Sequence, residues 1–322
     1  MNVIAIDFGG TNIKIALVKG GIITASTSIP AYSEKGLAPR LPVVKESVFR
    51  LLGTDSTASY ACVAVSMPGV VDHVRGRVLA LYEKYGDSMS MDLGAWFNEA
   101  FGLPMVLTMD SKAALLGEMH YGCGVGFSDV VMMILGTGIG TAVALDGNIL
   151  HGRNFQTGII MGHMGIEING RKCTCPNNGC IEANASGWAL PGIVREHPGY
   201  AGSALAKAAV IDFGSLFSLA QAGDKVASEV AERCADVWQA AIVSFIHAYD
   251  PALVILSGGI MQNDAIFSRV IDGVQKRLWH TCGHVELRRA LRPNESVILG
   301  LYHFACVQNT ISDAMRVPKE TS

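Results

Sequence analysis

Short apolar runs, each ended by glycine or by a polar turn, recur along the first third of the chain. The segment NVIAIDFGGTNIKIALVKGG (2–21) predicts two β-strands joined by a glycine-rich turn, and GGIITAST (20–27) predicts a third strand. Two more strands are expected at 60–69 and 104–110, and the stretch before each of them carries apolar residues at helical spacing. This alternation of strands and helices predicts an α/β fold.

The same pattern restarts after a helix that is predicted at 111–122. The segment DVVMMILGTGIGTAVALDG (129–147) again predicts a strand, a glycine-rich turn and a strand, at nearly the same length as the N-terminal hairpin. Farther along, a long helix at 224–250, a strand at 252–259 and a helix at 261–278 are expected. We therefore predict a structural repeat of two α/β domains.

The bulk composition excludes several classes of protein. The chain has 322 residues, of which 50% are hydrophobic and 16% are charged, and its net charge is −3, so no basic surface for a nucleic acid is expected. No apolar run approaches the roughly 18–20 residues that cross a membrane, and no secretory signal is evident, which favours a cytoplasmic location. In a reducing compartment, clustered cysteines favour metal binding over disulfides.

Three glycine-rich turns follow predicted strands, and two of them lie in the repeated hairpins. Glycine lets the backbone approach a ligand, so that N–H groups point at phosphate oxygens. One such turn alone favours a plain hairpin, but the three together predict a cleft between two similar domains that holds a nucleoside triphosphate. Asp7, beside the first turn, is expected to steer Mg²⁺ through its water shell. The candidate nucleotide-binding residues are Asp7, Gly9, Gly10, Thr11, Gly136, Thr137, Gly138, Gly258 and Gly259.

Asp110 lies between a predicted strand and a predicted helix, in the segment TMDSKAALLGE (108–118). Two interpretations of this residue stay open. Asp is common at a helix start, where its side chain caps backbone N–H groups. Alternatively, Asp110 is a catalytic base beside the cleft, because phosphoryl transfer needs one group to accept the proton of the attacking hydroxyl, besides positioning and charge neutralisation.

The segment GHMGIEINGRKCTCPNNGC (162–180) holds one histidine and three of the eight cysteines. One nitrogen and three sulfur donors form the ligand set of a closed tetrahedral zinc site, and such a site is structural because it has no open position for water. The alternative is a chance neighbourhood of packed cysteines and a surface histidine. The predicted zinc ligands are His163, Cys173, Cys175 and Cys180.

The longer segment GHMGIEINGRKCTCPNNGCIEANASG resembles the signature of ROK-family sugar kinases, which belong to the actin-like ATPase and hexokinase superfamily. The resemblance covers almost the whole chain and runs in the family's order. DFGGTNIK (7–14) and LGTGIGTAV (135–143) resemble the two phosphate motifs, and MDSKAALLGE (109–118) resembles the segment with the catalytic Asp. VSMPGVVD (65–72) resembles the Pro-Gly segment, and VILSGGI (254–260) the element beside the nucleoside.

This resemblance implies a fold of two ribonuclease H-like, actin-like domains with mixed sheets around an interdomain cleft. Residues 1–112 with about 298–322 would form a small domain, since the last helix returns to it, and 113–297 would form a large domain with the zinc loop. The resemblance further implies ATP-dependent phosphorylation of a hexose, with ATP, Mg²⁺ and structural Zn²⁺ as cofactors. A homodimer without nucleic-acid or membrane partners is expected.

The resemblance also implies roles for individual residues. Asp110 resembles the base that deprotonates a sugar hydroxyl, the one at C6. His163 would both ligate zinc and face the sugar, and Glu182 resembles a carboxylate that bonds sugar hydroxyls. The metal would then shape the loop that presents Glu182.

Two positions depart from the family members that act on glucose. Those members carry Asn immediately before the catalytic Asp and Glu three positions before the zinc-binding His, where this chain has Met109 and Ile160. Loss of two polar contacts is expected to weaken selection for glucose. The resemblance leaves allose, glucose and an N-acylhexosamine open as substrates, and the stretch 179–199 is most similar to the allose-kinase type. The family's usual segment after the Pro-Gly motif is replaced by LYEKYGDSMSMDLGAW (81–96), whose residues the resemblance does not assign. Replacement contacts from His151, Arg153 and Asn154 are one interpretation, and ordinary surface positions are the other.

Two other functions compete with the kinase. The family includes sugar-responsive repressors, but these carry an additional N-terminal helix-turn-helix domain, and no basic recognition helix is evident in this sequence. A non-catalytic sugar binder is the third hypothesis, motivated by Met109 and Ile160.

Overall fold

A computed structural model describes residues 1–81, 84–279 and 283–316, with side chains as far as Asn309. The chain divides into two compact units. Unit 1 consists of Met1–Gly126, His151–Gln156 and Leu291–Ser322, and unit 2 consists of Phe127–Leu150 and Thr157–Ala290.

The predicted domain ranges, 1–112 with about 298–322 and 113–297, differ from these units. The helix that follows Asp110 packs inside unit 1, against the C-terminal helix, so the chain leaves unit 1 after Gly126. Residues 317–322 of the predicted small domain lie outside the described residues. The two ranges stay a prediction of domain organisation.

Unit 1 contains a five-stranded mixed sheet in the order β3-β2-β1-β4-β7. Strand β1 pairs antiparallel with β2 and parallel with β4, which is in turn parallel to β7. A separate pair, β5 and β6, was not predicted. The strands are β1 (Asn2–Phe8), β2 (Asn12–Lys19), β3 (Ile22–Pro30), β4 (Cys62–Met67), β5 (Val70–Asp72), β6 (Arg77–Ala80) and β7 (Met105–Met109).

Unit 2 contains a second five-stranded mixed sheet, in the order β10-β9-β8-β11-β12. Its central strand also pairs antiparallel with the next strand in sequence and parallel with a later one. The two sheets therefore have the same strand topology, and the predicted mixed α/β repeat is confirmed. The edge strand β12 was not predicted, because its sequence ELRR lacks an apolar pattern. The strands are β8 (Val130–Leu135), β9 (Ile139–Leu145), β10 (Asn148–Ile149), β11 (Leu253–Ser257) and β12 (Glu286–Arg289).

The helices lie close to their predicted positions, with two differences. The helix predicted from Ser111 already begins at Asp110, and the one predicted at 261–278 is a short 3₁₀ turn followed by a helix. No helix of the described ranges is both long and apolar enough to span a bilayer. The helices are α1 (Leu41–Leu52), α2 (Leu93–Phe101), α3 (Asp110–Tyr121), α4 (Ile181–Ala185), α5 (Leu190–Arg195), α6 (Phe213–Gln221), α7 (Lys225–Tyr249), α8 (Asp264–Arg277) and α9 (Ser296–Arg316).

In unit 1, helices cover both faces of the sheet, which explains why β1 is a continuous apolar run. On one face, α3 and α9 pack at backbone contact. A Cβ atom built on Gly300 would lie 1.7 Å from the carbonyl oxygen of Ala113, and one on Gly117 would lie 1.9 Å from that of Ser296. The buried carboxylate of Glu118 accepts hydrogen bonds from the backbone N–H groups of residues 291 and 292. These contacts hold α3, which begins at Asp110, against α9 and the segment before it.

In unit 2, the long helix α7 packs against the sheet and supplies much of the core. Trp238 is fully buried in the hydrophobic core to which β8 and β11 also contribute, and its indole N–H donates to the carbonyl oxygen of Ala185 at 2.9 Å. The sheet and α4 are thereby held in one core, which positions the loops at the ends of β8 and β11.

Candidate active site and metal centre

The carboxyl ends of β1, β4 and β7 lie side by side, because these strands are parallel neighbours. Asp7 of β1 is opposite Ser66 of β4, and the Ser66 hydroxyl donates to an Asp7 carboxylate oxygen at 2.8 Å. Asp110 directly follows β7 and is near enough for the charge of Asp7 to raise its pKa. The structure therefore brings two of the predicted site residues, Asp7 and Asp110, to one edge of the unit 1 sheet.

Asp110 is the first residue of α3, and its carboxylate accepts the N–H of Ser111 at 2.6 Å. It therefore contributes to the helix start, although Met109 holds the capping position. Burial, followed by the charge of Asp7, raises the pKa of Asp110 to about 6, against the opposing effects of the Ser111 N–H and the Lys84 ammonium. A carboxylate with this pKa is ionised at neutral pH and still basic enough to accept a proton. Both interpretations of Asp110 agree with this geometry.

The first glycine turn, between β1 and β2, is held by residues that sequence reasoning did not assign. The Tyr85 hydroxyl donates to the carbonyl oxygen of Gly9 at 2.8 Å, and the Ser33 hydroxyl donates to that of Gly10 at 2.9 Å. The side chain of Lys84 lies over Gly10, where a Cβ atom would be 2.5 Å from Nζ. Thr11 is exposed. Lys84 and Tyr85, from the unassigned segment 81–96, thus pack on the predicted phosphate turn.

The second glycine turn, between β8 and β9, is held by the segment after α4. The carbonyl oxygens of Gly136 and Thr137 accept the N–H groups of Gly187 and Trp188 at 3.0 and 2.9 Å. Thr137 itself is exposed, so its hydroxyl is free of the core. The turn is therefore held through its carbonyl groups, and the side chain of Thr137 stays accessible to solvent.

The third glycine turn lies next to the second, because β11 is the parallel neighbour of β8. Gly258 has a φ of 92°, and a Cβ atom there would lie 2.1 Å from the carbonyl oxygen of Leu135. Only glycine fits this close approach. Nothing lies within 4 Å of a Cβ atom built on Gly259. Unit 2 therefore places the predicted residues of its two turns together at one sheet edge.

Glu182 lies in α4 and reaches the second glycine turn. One carboxylate oxygen accepts the N–H of Ile139 at 2.7 Å, and the other accepts the indole N–H of Trp188 at 3.0 Å. Each carboxylate oxygen has two lone pairs, so both can still accept from a ligand hydroxyl. The structure places this predicted sugar contact against the predicted phosphate turn of the same unit.

The four predicted zinc ligands form one cluster in unit 2. The ligand atoms of His163, Cys173, Cys175 and Cys180 all lie within 4.8 Å of one another. The Sγ atoms of Cys175 and Cys180 are 3.5 Å apart, and Nδ1 of His163 is 3.5 Å from the Sγ of Cys173. Zn–S bonds of about 2.3 Å in a tetrahedron separate two sulfur atoms by about 3.8 Å. The donor set and its spacing therefore fit a four-coordinate zinc ion.

The loop around these ligands depends on close backbone turns. Gly179 has a φ of 69°, and a Cβ atom there would lie 1.7 Å from the carbonyl oxygen of Glu167. Burial and the neighbouring thiols raise the pKa of Cys180 to about 12. A bound cation would offset the free-energy cost of ionising the cysteines by stabilising their thiolates. Cys180 is also the N-terminal flanking residue of α4, so the cluster adjoins the helix that carries Glu182.

The two apolar substitutions are placed differently. Met109 is 8% exposed, and its sulfur accepts the Ser111 hydroxyl at 3.5 Å. Ile160 is half-buried and precedes the 3₁₀ turn that contains His163. Neither side chain offers the amide or carboxylate group that the resemblance associates with sugar hydroxyls.

A cluster of basic residues in unit 1 was missed by sequence reasoning. Lys112 is 3% exposed, and its Nζ is 3.1 Å from Nδ1 of His151. The His151 ring stacks on His73 with ring centroids 3.9 Å apart. Burial lowers the pKa of Lys112 to about 8 and that of His151 to about 3. His151 is therefore tied to α3, whereas Arg153 and Asn154 are exposed.

Comparisons with known proteins agree with this architecture. The model described as the ROK family matches residues 3–306. The chain is 31% identical over 266 residues to a glucokinase of Thermotoga maritima, which covers 81% of this chain and 82% of that protein. It is also similar to the crystal structure of a ROK hexokinase from Thermus thermophilus, with a TM-score of 0.79, 26% identity, and coverage of 96% of this chain and 100% of that one.

A more distant similarity is to a regulator. The chain is 22% identical over 240 residues to the DNA-binding transcriptional repressor Mlc of Escherichia coli, which covers 74% of this chain and 59% of the repressor. The family model spans nearly the whole chain. The chain therefore belongs to the ROK family.

Proposed function

We propose that this chain is an ATP-dependent sugar kinase that phosphorylates a hexose at the C6 hydroxyl, with Asp110 as the general base. The observation that carries the proposal is the position of Asp110 at the carboxyl edge of the unit 1 sheet, beside the glycine turn. The glucokinase and hexokinase relatives support the same class of reaction.

The chemistry of Asp110 suits this step. With a pKa of about 6, the carboxylate is ionised at neutral pH and accepts the proton of the sugar hydroxyl. The hydroxyl oxygen then forms a bond to the terminal phosphorus of ATP, while the bond from that phosphorus to the bridging oxygen breaks and ADP leaves with its electron pair. The products are a sugar phosphate and ADP, and Asp110 later returns its proton to water.

Phosphates of the nucleotide are expected to meet backbone N–H groups of the glycine turns. Asp7 would hold Mg²⁺ through water, since its buried carboxylate lies near the end of β1, beside the first turn. When bound, this ion neutralises phosphate charge. The proposed nucleotide-binding residues are Asp7, Gly9, Gly10, Thr11, Gly136, Thr137, Gly138, Gly258 and Gly259.

The cysteine cluster is proposed as a structural zinc site with His163, Cys173, Cys175 and Cys180 as ligands. When bound, zinc supplies a fixed charge that holds the loop in one conformation. His163 and Glu182 are proposed to contact the sugar. Homodimer formation and a cytoplasmic location stay predictions.

The sugar is proposed to be allose, glucose or an N-acylhexosamine. Met109 and Ile160 are apolar at the two positions where the family resemblance implies polar contacts to glucose. A site built to bond hydroxyls discriminates strongly, so the loss of those groups is expected to change the preferred sugar.

A coupled assay of ADP release, run over a panel of aldohexoses, ketohexoses and N-acylhexosamines, tests the proposal. We expect sugar-dependent turnover in the wild type and its loss in Asp110→Asn, with the fold intact. If no sugar gave turnover while one raised the thermal midpoint, the chain would be a non-catalytic sugar binder.

A sugar-responsive regulator is the second candidate, favoured by the similarity to the repressor Mlc. Retention of Asp110 at the sheet edge favours the kinase instead, because DNA-binding regulation needs no base. Sugar-dependent ADP release at a rate above that of Asp110→Asn would decide for the kinase.

A further inference from the structure

The side chain of Lys84 crosses the first glycine turn of unit 1. A Cβ atom built on Gly10 would lie 2.5 Å from Nζ and 2.7 Å from Cε of Lys84. Because glycine has no side chain, Gly10 leaves room for the side chain of Lys84. The ammonium group therefore lies against the backbone of the proposed phosphate turn.

The backbone that carries Lys84 is anchored on the same turn. The next residue, Tyr85, is fully buried, donates its hydroxyl to the carbonyl oxygen of Gly9 and donates its N–H to that of Ser33 at 2.8 Å. Ser33 in turn donates its hydroxyl to Gly10. Tyr85 also has a φ of 53°, a left-handed conformation that costs free energy for a bulky residue. The position of Lys84 is thus specified by several independent contacts.

The charge of Lys84 acts on the catalytic edge but forms no direct ion pair there. It lowers the pKa of Asp110, so the two groups interact through space. Within the part of the chain that the structure describes, no carboxylate lies within 4.0 Å of Nζ. A half-buried ammonium group that faces a glycine turn without a bonded counterion is suited to bind an anion.

Two carboxylates, Asp7 and Asp110, lie at this edge, and a phosphoryl group would add further negative charge. Phosphoryl transfer depends on fixed positive charge at the transferred group. Lysine serves as a point charge for phosphate oxygens. Among the described residues, Lys84 is a cation whose charge lowers the pKa of Asp110.

We propose that the Lys84 ammonium group binds the terminal phosphoryl group of ATP and neutralises its charge during transfer, an inference that rests on the proposed kinase function. During the step, the sugar oxygen bonds to phosphorus, the bond to the bridging oxygen breaks, and the proton moves to Asp110. Lys84 stays protonated throughout. It is a catalytic residue in the sense that it touches the reacting group.

Nucleotide binding tests the contact without turnover. Isothermal titration with Mg²⁺ and either AMP-PNP or ADP is compared in the wild type, Lys84→Met, Lys84→Arg and the control Lys45→Met, an exposed lysine of α1. We expect Lys84→Met to weaken AMP-PNP binding about tenfold and ADP binding less than twofold, because only AMP-PNP carries the terminal group. Equal weakening of both ligands, or of neither, would overturn the inference. Circular dichroism and the thermal midpoint verify that each variant is folded.

Kinetics provide the second test. We expect Lys84→Met to lower kcat by about 10²-fold, the usual effect of removing one group that stabilises a transition state, with the sugar KM within twofold. Lys84→Arg is expected to keep more of kcat, since it keeps the charge. A raised sugar KM at unchanged kcat would mean that Lys84 contacts the sugar. If the wild type turned over no sugar, the kinase proposal would fail, whereas the ratio of AMP-PNP to ADP affinities would still decide the role of Lys84.

Discussion

The carboxylate of Glu182 accepts a hydrogen bond from the backbone N–H of Ile139, with 2.7 Å between oxygen and nitrogen. Ile139 begins β9 directly after the second glycine turn, and the other carboxylate oxygen accepts the indole N–H of Trp188. Two donors from different segments therefore need two acceptors at this position. The proposed sugar-binding residue also supports the glycine turn beside it.

Glu182→Gln tests this dual role. An amide offers one acceptor oxygen, and its NH₂ group would face the other donor. We expect a loss of about 0.5–1.5 kcal/mol in the free energy of unfolding, because either the partly buried N–H of Ile139 or the exposed indole N–H of Trp188 loses its acceptor. Urea denaturation measures this, with Glu99→Gln, an exposed residue of α2, as the control. Equal stability of the two variants would mean that the hydrogen bonds of Glu182 do not support the turn.

The pKa of Asp110 predicts the pH dependence of turnover. The base must be ionised, so kcat is expected to rise with pH through about 6 and to level off above it. Asp7 and Lys84 are the charged side chains that act on this group. Asp110→Asn should lose about 10²–10⁴-fold in kcat or more, whereas Asp272→Asn, on the exposed face of α8, should not. A rate maximum well below pH 6 would remove Asp110 from the role of base.

The same raised pKa has a consequence for stability. The folded state binds the proton of Asp110 more tightly than the unfolded chain, so this group favours folding below about pH 4 and loses that contribution as pH rises through about 6. We expect Asp110→Asn to be more stable than the wild type at pH 7.5, by on the order of 1–3 kcal/mol, and to lose this advantage near pH 4. Thermal unfolding at the two pH values measures the difference. A variant less stable than the wild type at both would contradict it.

The zinc proposal predicts loss of metal on removal of one thiolate. Cys175→Ser is expected to bind less than one zinc ion per chain and to raise the sugar KM, because the loop that leads to Glu182 loses its fixed shape. Elemental analysis of the purified variant provides the measurement. Cys123→Ser, outside the cluster of four, is expected to keep its zinc. Full zinc content in Cys175→Ser would contradict the assignment of four ligands.

The contact between α3 and α9 predicts a severe effect of a single methyl group. In Gly300→Ala, the added Cβ atom would lie 1.7 Å from a backbone oxygen of α3, so the helices must separate. We expect a loss of about 1–3 kcal/mol, as in other overpacked sites. Gly202→Ala is the control, since nothing lies within 4 Å of its added atom. Thermal midpoints of both variants are compared, and similar midpoints would show that the helices tolerate separation.

Because Lys112 is buried, the free energy of unfolding is expected to depend on pH in the alkaline range. Burial lowers its pKa to about 8, so between about pH 8 and the usual value near 10.5 the unfolded chain binds more protons than the folded one. The contribution of this group to the free energy of unfolding therefore rises with pH, by up to about 1.4 kcal/mol per unit. Relative to the wild type, Lys112→Met should be most stable near pH 7.5 and less so at pH 9.5. A difference that is constant with pH, as expected for Lys45→Met, would contradict the prediction.

The repeat and the cysteine cluster could be predicted from the sequence because both depend on short segments. Two apolar hairpins interrupted by glycine at the same place predict the same local structure, and the strand orders agree. Cys173, Cys175 and Cys180 are so close along the chain that one loop brings their ligand atoms within reach of His163. The roles of these residues stay predictions.

The surroundings of Asp110 could not be predicted, because they depend on contacts between distant segments. Lys84 lies in a loop without periodic pattern, and its place is set by the contact of Tyr85 with Gly9, 76 positions earlier. Lys112 and His151 are 39 positions apart. The sequence around Lys84, Lys112 or His151 does not indicate which distant residue each of them contacts.

The position of α9 against the unit 1 sheet has a consequence for synthesis on the ribosome. The apolar face formed by Val3, Ala5, Ala16 and Val18 is covered by residues from 298 onward, so it is made first and covered last. All segments of unit 2 are synthesised before α9. Unit 2 can therefore fold while this face of the N-terminal sheet is still uncovered. During this interval we expect this uncovered face to bind chaperones, and we expect chains truncated before α9 to aggregate through it.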